Sequence, residues 1–186
     1  MSARQNGFTL VELLIVISII AILSTVGLVI YSGVQKSARA AKRTQDLKAI
    51  QTALEVYYSV NKTYPVATLG TDTGWRSECS SWGGYASDQV VPNPAGYPGF
   101  VPNYMPVFPQ DPSMNKDTSA SCYIYRSNGA DYTILDHGIA EFSSNDYQSQ
   151  KNLISPARDG GSDCSKVDGT GIWSWGLYSS PISGCW

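Results

Sequence analysis

Residues Phe8 to Tyr31 read FTLVELLIVISIIAILSTVGLVIY, and Lys36 to Val60 read KSARAAKRTQDLKAIQTALEVYYSV. The first stretch holds one charge, Glu12, and is apolar on every side of a helix. About 20 such residues cross a bilayer as a helix, and this stretch clears that length. The second holds neither Pro nor Gly and consists largely of good helix formers. In it Leu47, Ile50, Leu54 and Tyr57 recur three, four and three residues apart. That spacing draws a single apolar stripe along a helix, with Lys48 and Glu55 off it. Together the two stretches predict one long helix from Phe8 to about Val60. A striped helix must be covered by something, so the rest of the chain has to supply a surface.

Upstream lies a short polar segment, Met1 to Gly7, carrying Arg4. A secretory signal peptide has a shorter apolar core followed by a small-residue cleavage site. Here the apolar core is too long and no such site follows, so the apolar stretch is expected to stay in the mature protein. Downstream, Asn61 and the Tyr64-Pro65 pair end the helix, because a residue before Pro avoids the helical region. Gly, Pro, Ser and Asn dominate Val66 to Ser121, which predicts a long irregular connection with short strands at most. A hairpin follows: Cys122 to Arg126 leads through Asn128-Gly129 into Asp131 to Leu135. The Asn-Gly pair supplies the positive φ angles that a tight hairpin turn needs. Ile139 to Phe142 is expected to add a third strand and Ile172 to Tyr178 a last one. The fold class is therefore α+β: a long N-terminal helical spine, transmembrane and then amphipathic, packed against a small antiparallel sheet with long disulfide-tied loops. The segments are 1–7, 8–31, 32–60 and a loop-rich β domain at 61–186.

Composition narrows the function. Net charge is -2 and charged residues make up 15% of the chain, against about 25% in ordinary soluble domains. Phosphate binding needs a concentrated basic face, so no direct nucleic-acid binding is expected. The four cysteines, Cys79, Cys122, Cys164 and Cys185, form no CxxC pair, and the single His137 adjoins none of them. A zinc site is therefore not expected; two disulfides in an exported domain are. The expected pairs are Cys79–Cys122 and Cys164–Cys185, neighbours in sequence that each close a Gly-rich loop, although four cysteines allow three pairings. No Gly-x-Ser-x-Gly elbow accompanies His137 and Asp136, so no catalytic residues are assigned. Trp173, Trp175, Tyr178 and Trp186 are expected in strand and core packing. Lys36, Arg39, Lys42, Arg43 and Lys48 form a basic cluster, expected as a solvated helix face or as a contact for acidic groups on neighbouring subunits. Counted alone, that cluster would hold the following domain in the cytoplasm; the cysteines argue for the other side.

The string Gly7-Phe8-Thr9-Leu10-Val11-Glu12, followed by continuous apolar sequence, resembles the processing motif of type IV pilins and type II secretion pseudopilins. The resemblance continues through the helix to Tyr64-Pro65. Asp111-Pro112 and the hairpin after it are similar to the major pseudopilins. It implies that a prepilin peptidase cuts after Gly7, removing 1–7 as a leader, that the new N-terminal Phe8 is methylated, and that Glu12 serves filament assembly. A carboxylate inside a membrane helix needs a partner, and cleavage makes one in the Phe8 amine of a neighbouring subunit. The alternative is that Glu12 sits at the interface and reaches water. Many pilins carry a Pro about two-thirds along this helix; Val29 stands there, so local melting of the helix is not expected.

The implied function is a non-enzymatic structural subunit of a type IV pilus-like filament. The implied partners are copies of itself, minor pilins, the prepilin peptidase, an assembly ATPase and a platform membrane protein. The implied location is the inner membrane before assembly and an extracellular filament afterwards. One alternative is a major-type pseudopilin of a type II secretion system. An alternative of another class is a single-pass anchored extracytoplasmic binding domain or enzyme. Major pseudopilins often bind calcium near the C-terminus. Asp159, Asp163 and Asp168 are the candidate ligands here, although their spacing departs from the alternating acidic pattern of an EF-hand loop. No other cofactor is expected.

Overall fold

The computed structural model describes residues 7–66, 75–77, 79, 100–115, 117–118, 120–156 and 172–185, with 26–30, 76 and 102 described in backbone only. Helix α1 runs Leu10–Asn61, 52 residues. At its start the Thr9 hydroxyl accepts from Glu12 N–H at 3.2 Å, and the Glu12 carboxylate accepts from Thr9 N–H at 2.8 Å. That reciprocal pair is a capping box, which satisfies donors that no preceding turn can reach. At its end Lys62 takes φ 58, and its N–H donates to the Tyr58 carbonyl at 2.8 Å. A left-handed residue just past a helix is usually Gly. Asn61 adds a side-chain amide that donates to Tyr57 O and to Tyr104 Oη, each at 2.9 Å.

Contacts divide the chain into two compact units, Met1–Ala40 and Ala41–Trp186. In the first, the apolar side chains stand in the open: Leu10 is 75% exposed, Leu14 50%, Ile19 51% and Ile22 65%. Farther along, Tyr31 at 63% and Val34 at 61% stand in the open in the same way. Among the described residues no helix is long and apolar enough to cross a membrane.

In the second unit the predicted stripe is covered. Leu47, Ile50, Leu54 and Tyr57 are all fully buried. An antiparallel sheet does part of the covering. Its strands are β1 (Arg76–Ser77), β2 (Cys122–Ser127), β3 (Tyr132–His137) and β4 (Trp175–Tyr178), in that spatial order. The β2–β3 register runs from Cys122 opposite His137 to Ser127 opposite Tyr132. Side chains alternate across a strand, and the contacts follow that alternation. Tyr123 and Asp136 reach Asp46 and Arg43 of α1, and Tyr132 Oη donates to Glu55 at 3.2 Å. On the other face Cys122, Ile124 and Leu135 cluster with Trp75 and Cys79. Gly176 of β4 opposes Leu135; a Cβ there would stand 2.3 Å from Leu135 Cδ2.

Two expectations are corrected. Ile139 to Phe142 is a turn, not a strand: Gly138 takes φ 61 and bends the chain away after β3, and Phe142 N–H returns to the Ile139 carbonyl at 3.1 Å. The hairpin sits where the sequence puts it, but its loop spans the four residues between Ser127 and Tyr132. Gly129 alone in that loop has positive φ. Asn128 instead accepts from Ala130 and Asp131 N–H through its side chain, at 2.9 and 2.8 Å, closing the loop as an Asx turn. Gly129 is pressed against the chain leaving α1, where a Cβ would meet Thr63 Oγ1 at 2.9 Å. Of the expected long connection, the described parts hold β1 and the four-residue helical segment α2 (Phe100–Asn103).

Candidate functional site

The residues that carry the processing motif lie at the start of α1. Among the described residues nothing stands within 4 Å of where a Gly7 Cβ would be. Phe8 is 84% exposed. The Glu12 carboxylate receives both the Thr9 N–H and, at 2.7 Å, the Thr9 hydroxyl. The carboxylate thus has local partners within its own chain, three residues away. Sequence reasoning treated Glu12 as a charge in search of a partner and missed this one. The signal was present: Thr9-x-x-Glu12 before an apolar run is the sequence signature of a capping box.

A second polar site lies inside the head. Arg43 precedes Leu47 by four residues and so continues the buried stripe by one turn; it is fully buried. This corrects the expectation of a solvated basic cluster for Arg43. Its Nε lies 2.5 Å from Asp111 Oδ2 and 3.2 Å from Asp136 Oδ2, and its Nη1 lies 2.5 Å from Glu141 Oε1. Nη2 donates to Ser113 Oγ at 2.7 Å. Arg43 Cζ also stands 5.3 Å from the Phe142 ring centroid, and Phe142 packs on Trp175 at 4.5 Å. Burial alone would lower the Arg43 pKa. The Asp111 hydrogen bond and the charges of Asp111 and Asp136 outweigh it and hold the guanidinium above its ordinary value. The arrangement binds α1 to the Asp111-Pro112 loop, to β3 and to the turn after it.

The cysteines and the remaining candidates fall as follows. A disulfide joins Cys79 and Cys122, tying the chain just after β1 to the first residue of β2. Cys185 is disulfide-bonded, while Cys164, its expected partner, lies outside the described residues, as do Asp159, Asp163, Asp168 and Trp186. His137 is buried at the end of β3, Trp175 is fully buried and Tyr178 is 37% exposed.

Residues 2–28 match the family model described as the prokaryotic N-terminal methylation motif. The type II secretion system core protein G of Klebsiella pneumoniae is 31% identical over 109 residues, which cover 59% of this chain and 69% of that protein. The protein of the same name from Pectobacterium carotovorum is 30% identical over 109 residues, covering 59% and 62% respectively. The type IV major pilin protein PilA of Myxococcus xanthus is 31% identical over 100 residues, covering 51% and 44%. The chain spans about half to two thirds of the length of the curated relatives it matches. No solved structure matches it.

Proposed function

The chain belongs to the family of type IV pilins and type II secretion pseudopilins, and we propose that it is a structural subunit of a pilus-like filament, cut after Gly7 and assembled through the N-terminal part of α1. The observation that carries this is the conjunction of an exposed Phe8 directly after Gly7, Glu12 in the first helical turn, and an apolar stretch whose side chains nothing in the described chain covers. An uncovered, all-round apolar helix needs an apolar solvent or identical neighbours. The full apolar sequence from Phe8 to Tyr31 is long enough for a bilayer, and the same surface then serves bundling in the filament. Cleavage frees an amine at Phe8, which becomes the methylated residue. Glu12 of one subunit pairs with that amine on the next by exchanging its Thr9 contacts. The partners of this reading are other copies of the chain, minor pilins, a prepilin peptidase, an assembly ATPase and a platform membrane protein. The role is mechanical and needs no catalytic centre.

A second reading, a pseudopilin of a type II secretion system, is favoured by the 109-residue similarities to proteins bearing that name. One experiment tests both. In cells with an active prepilin peptidase, the purified protein should begin at Phe8 by N-terminal sequencing, and Gly7→Val should retain the leader. Glu12→Ala should still be cut and inserted but should lose sheared filament relative to membrane-bound subunit. An uncut wild-type protein, or normal filament yield from Glu12→Ala, would sink the assembly mechanism. Lost export of secreted proteins in a deletion strain that never forms surface filaments selects the second reading.

A further inference from the structure

The head buries one guanidinium against three carboxyl groups. Arg43, Asp111 and Asp136 have fully buried side chains, and Glu141 keeps 19% exposure. With every group ionised, the cluster carries one positive and three negative charges. Two uncompensated buried charges are heavily penalised, and a buried group that can titrate becomes neutral instead.

The three acids differ in how they are satisfied. Asp111 accepts from Arg43 Nε and Nη2, and from Ser113 N–H and hydroxyl, at 2.5, 3.2, 2.6 and 2.8 Å. It has the donors a carboxylate needs. Glu141 meets Arg43 Nη1 and reaches partly to solvent. Asp136 Oδ2 lies 3.2 Å from Arg43 Nε, which sits closer to Asp111 at 2.5 Å, and among the described residues neither oxygen of Asp136 accepts a hydrogen bond. Both carboxyls converge on that one Nε, which makes Asp111 the neighbour placed to share a proton with Asp136. Two carboxyls bond each other only with a proton between them.

We propose that the folded head holds one proton on the Asp136 carboxyl, donated to Asp111 beside Arg43, and that this proton locks the Arg43 turn of α1 to β3 and to the Asp111 loop. Every element around Asp136 bears on its titration. From α1 come Arg43 and Asp46, the latter held by Lys42 at 2.6 Å. The loop before β2 brings Asp111, and the turn after β3 brings Glu141. β2 brings Tyr123, whose hydroxyl donates to Asp46 at 3.0 Å and whose pKa burial pushes well above the usual range, so it stays neutral. Burial first, then the Asp111 charge, push Asp136 well above the usual carboxylate range, with Arg43 pulling the other way.

The sign follows from proton linkage. An unfolded Asp loses its proton near about 3.9, while the folded one keeps it to higher pH. Between those limits the folded state binds more protons, so stability falls as pH rises and levels off above the folded value. The lock is closed in acid and open in alkali.

The test uses the full chain in detergent micelles, with tryptophan fluorescence reporting thermal unfolding from about pH 5 to about pH 9. Trp175, packed on Phe142 beside Arg43, lies within reach of the event. Wild type should lose Tm as pH rises. Asp136→Asn, which mimics the protonated acid, should flatten that slope and exceed wild type at the alkaline end. Parallel slopes would overturn the proposal. Infrared spectroscopy of the wild type guards against a variant that fails to fold. A protonated-carboxyl C=O band should be present at neutral pH and titrate away in alkali, and its absence would overturn the proposal equally.

Discussion

Leu10–Thr25 and Ala41–Asn61 belong to one helix, yet they treat their apolar side chains in opposite ways. In the first stretch Val11 is 63% exposed and Ile17 52%; in the second Leu47 and Ile50 are fully buried. Helix propensity does not separate them, since both are good helices. The separation lies in the pattern. An apolar surface that runs all the way round has no side to offer a sheet, whereas a stripe offers one and leaves the opposite face to water. Their charges repeat the contrast. Glu12 is satisfied by Thr9, three residues away. Arg43 is satisfied by Asp111, Asp136 and Glu141, which only the folded head brings together.

The contrast can be broken most forcefully at Arg43. Arg43→Met keeps the bulk of the side chain but leaves buried carboxylates without their cation, and should cost the head about 3–5 kcal/mol. Lys48→Met, on the exposed face of the same helix, should stay within about 0.5 kcal/mol. Urea unfolding midpoints of the two variants measure the difference. Equal midpoints would mean that the buried cluster contributes no net stability.

Next in size is the stripe itself. Leu54→Ala removes a fully buried side chain and should cost about 2–4 kcal/mol by lost burial and an unfilled cavity. Leu14→Ala, half exposed in the subunit, should leave the unfolding of the head unchanged and reduce only the yield of assembled filament. A Leu14→Ala variant with a destabilised head would erase the distinction between the two parts of α1.

The smallest effect belongs to the capping box. Thr9→Ala should cost the helix start about 1 kcal/mol, visible as faster amide exchange in the first turn with the head's thermal midpoint unmoved. Unaltered exchange there would show that Thr9 and Glu12 do not hold the first turn.

Much of this was legible without coordinates, for reasons that are local. Burial of the stripe follows from spacing of three and four residues, and the hairpin follows from two apolar strands around Asn128-Gly129. The disulfide between Cys79 and Cys122 joins cysteines that are neighbours in sequence. The places where sequence reading failed share a cause. Ile139 to Phe142 has strand-like residues, but after one backbone bond from Ile139 to Trp173 the chain, bent at Gly138, closes into a turn. Asn128 was credited with a positive φ, whereas its side chain closes the loop. Arg43 was grouped with its basic neighbours by composition, although its position four residues before Leu47 placed it on the inward face.

Periodicity and the Gly7-to-Glu12 string are one-dimensional properties, and so the chain's order of residues was enough to predict the helix, its two kinds of surface and its processing motif. The Arg43 cluster is different in kind. Asp111 comes from a loop, Asp136 from the inward face of β3 and Glu141 from the turn after it. Their charges matter through separations of about 3 Å in a buried site, where attraction is strong and an unpaired carboxylate is costly. No spacing along the chain encodes that meeting, because it depends on how the sheet seats against the helix.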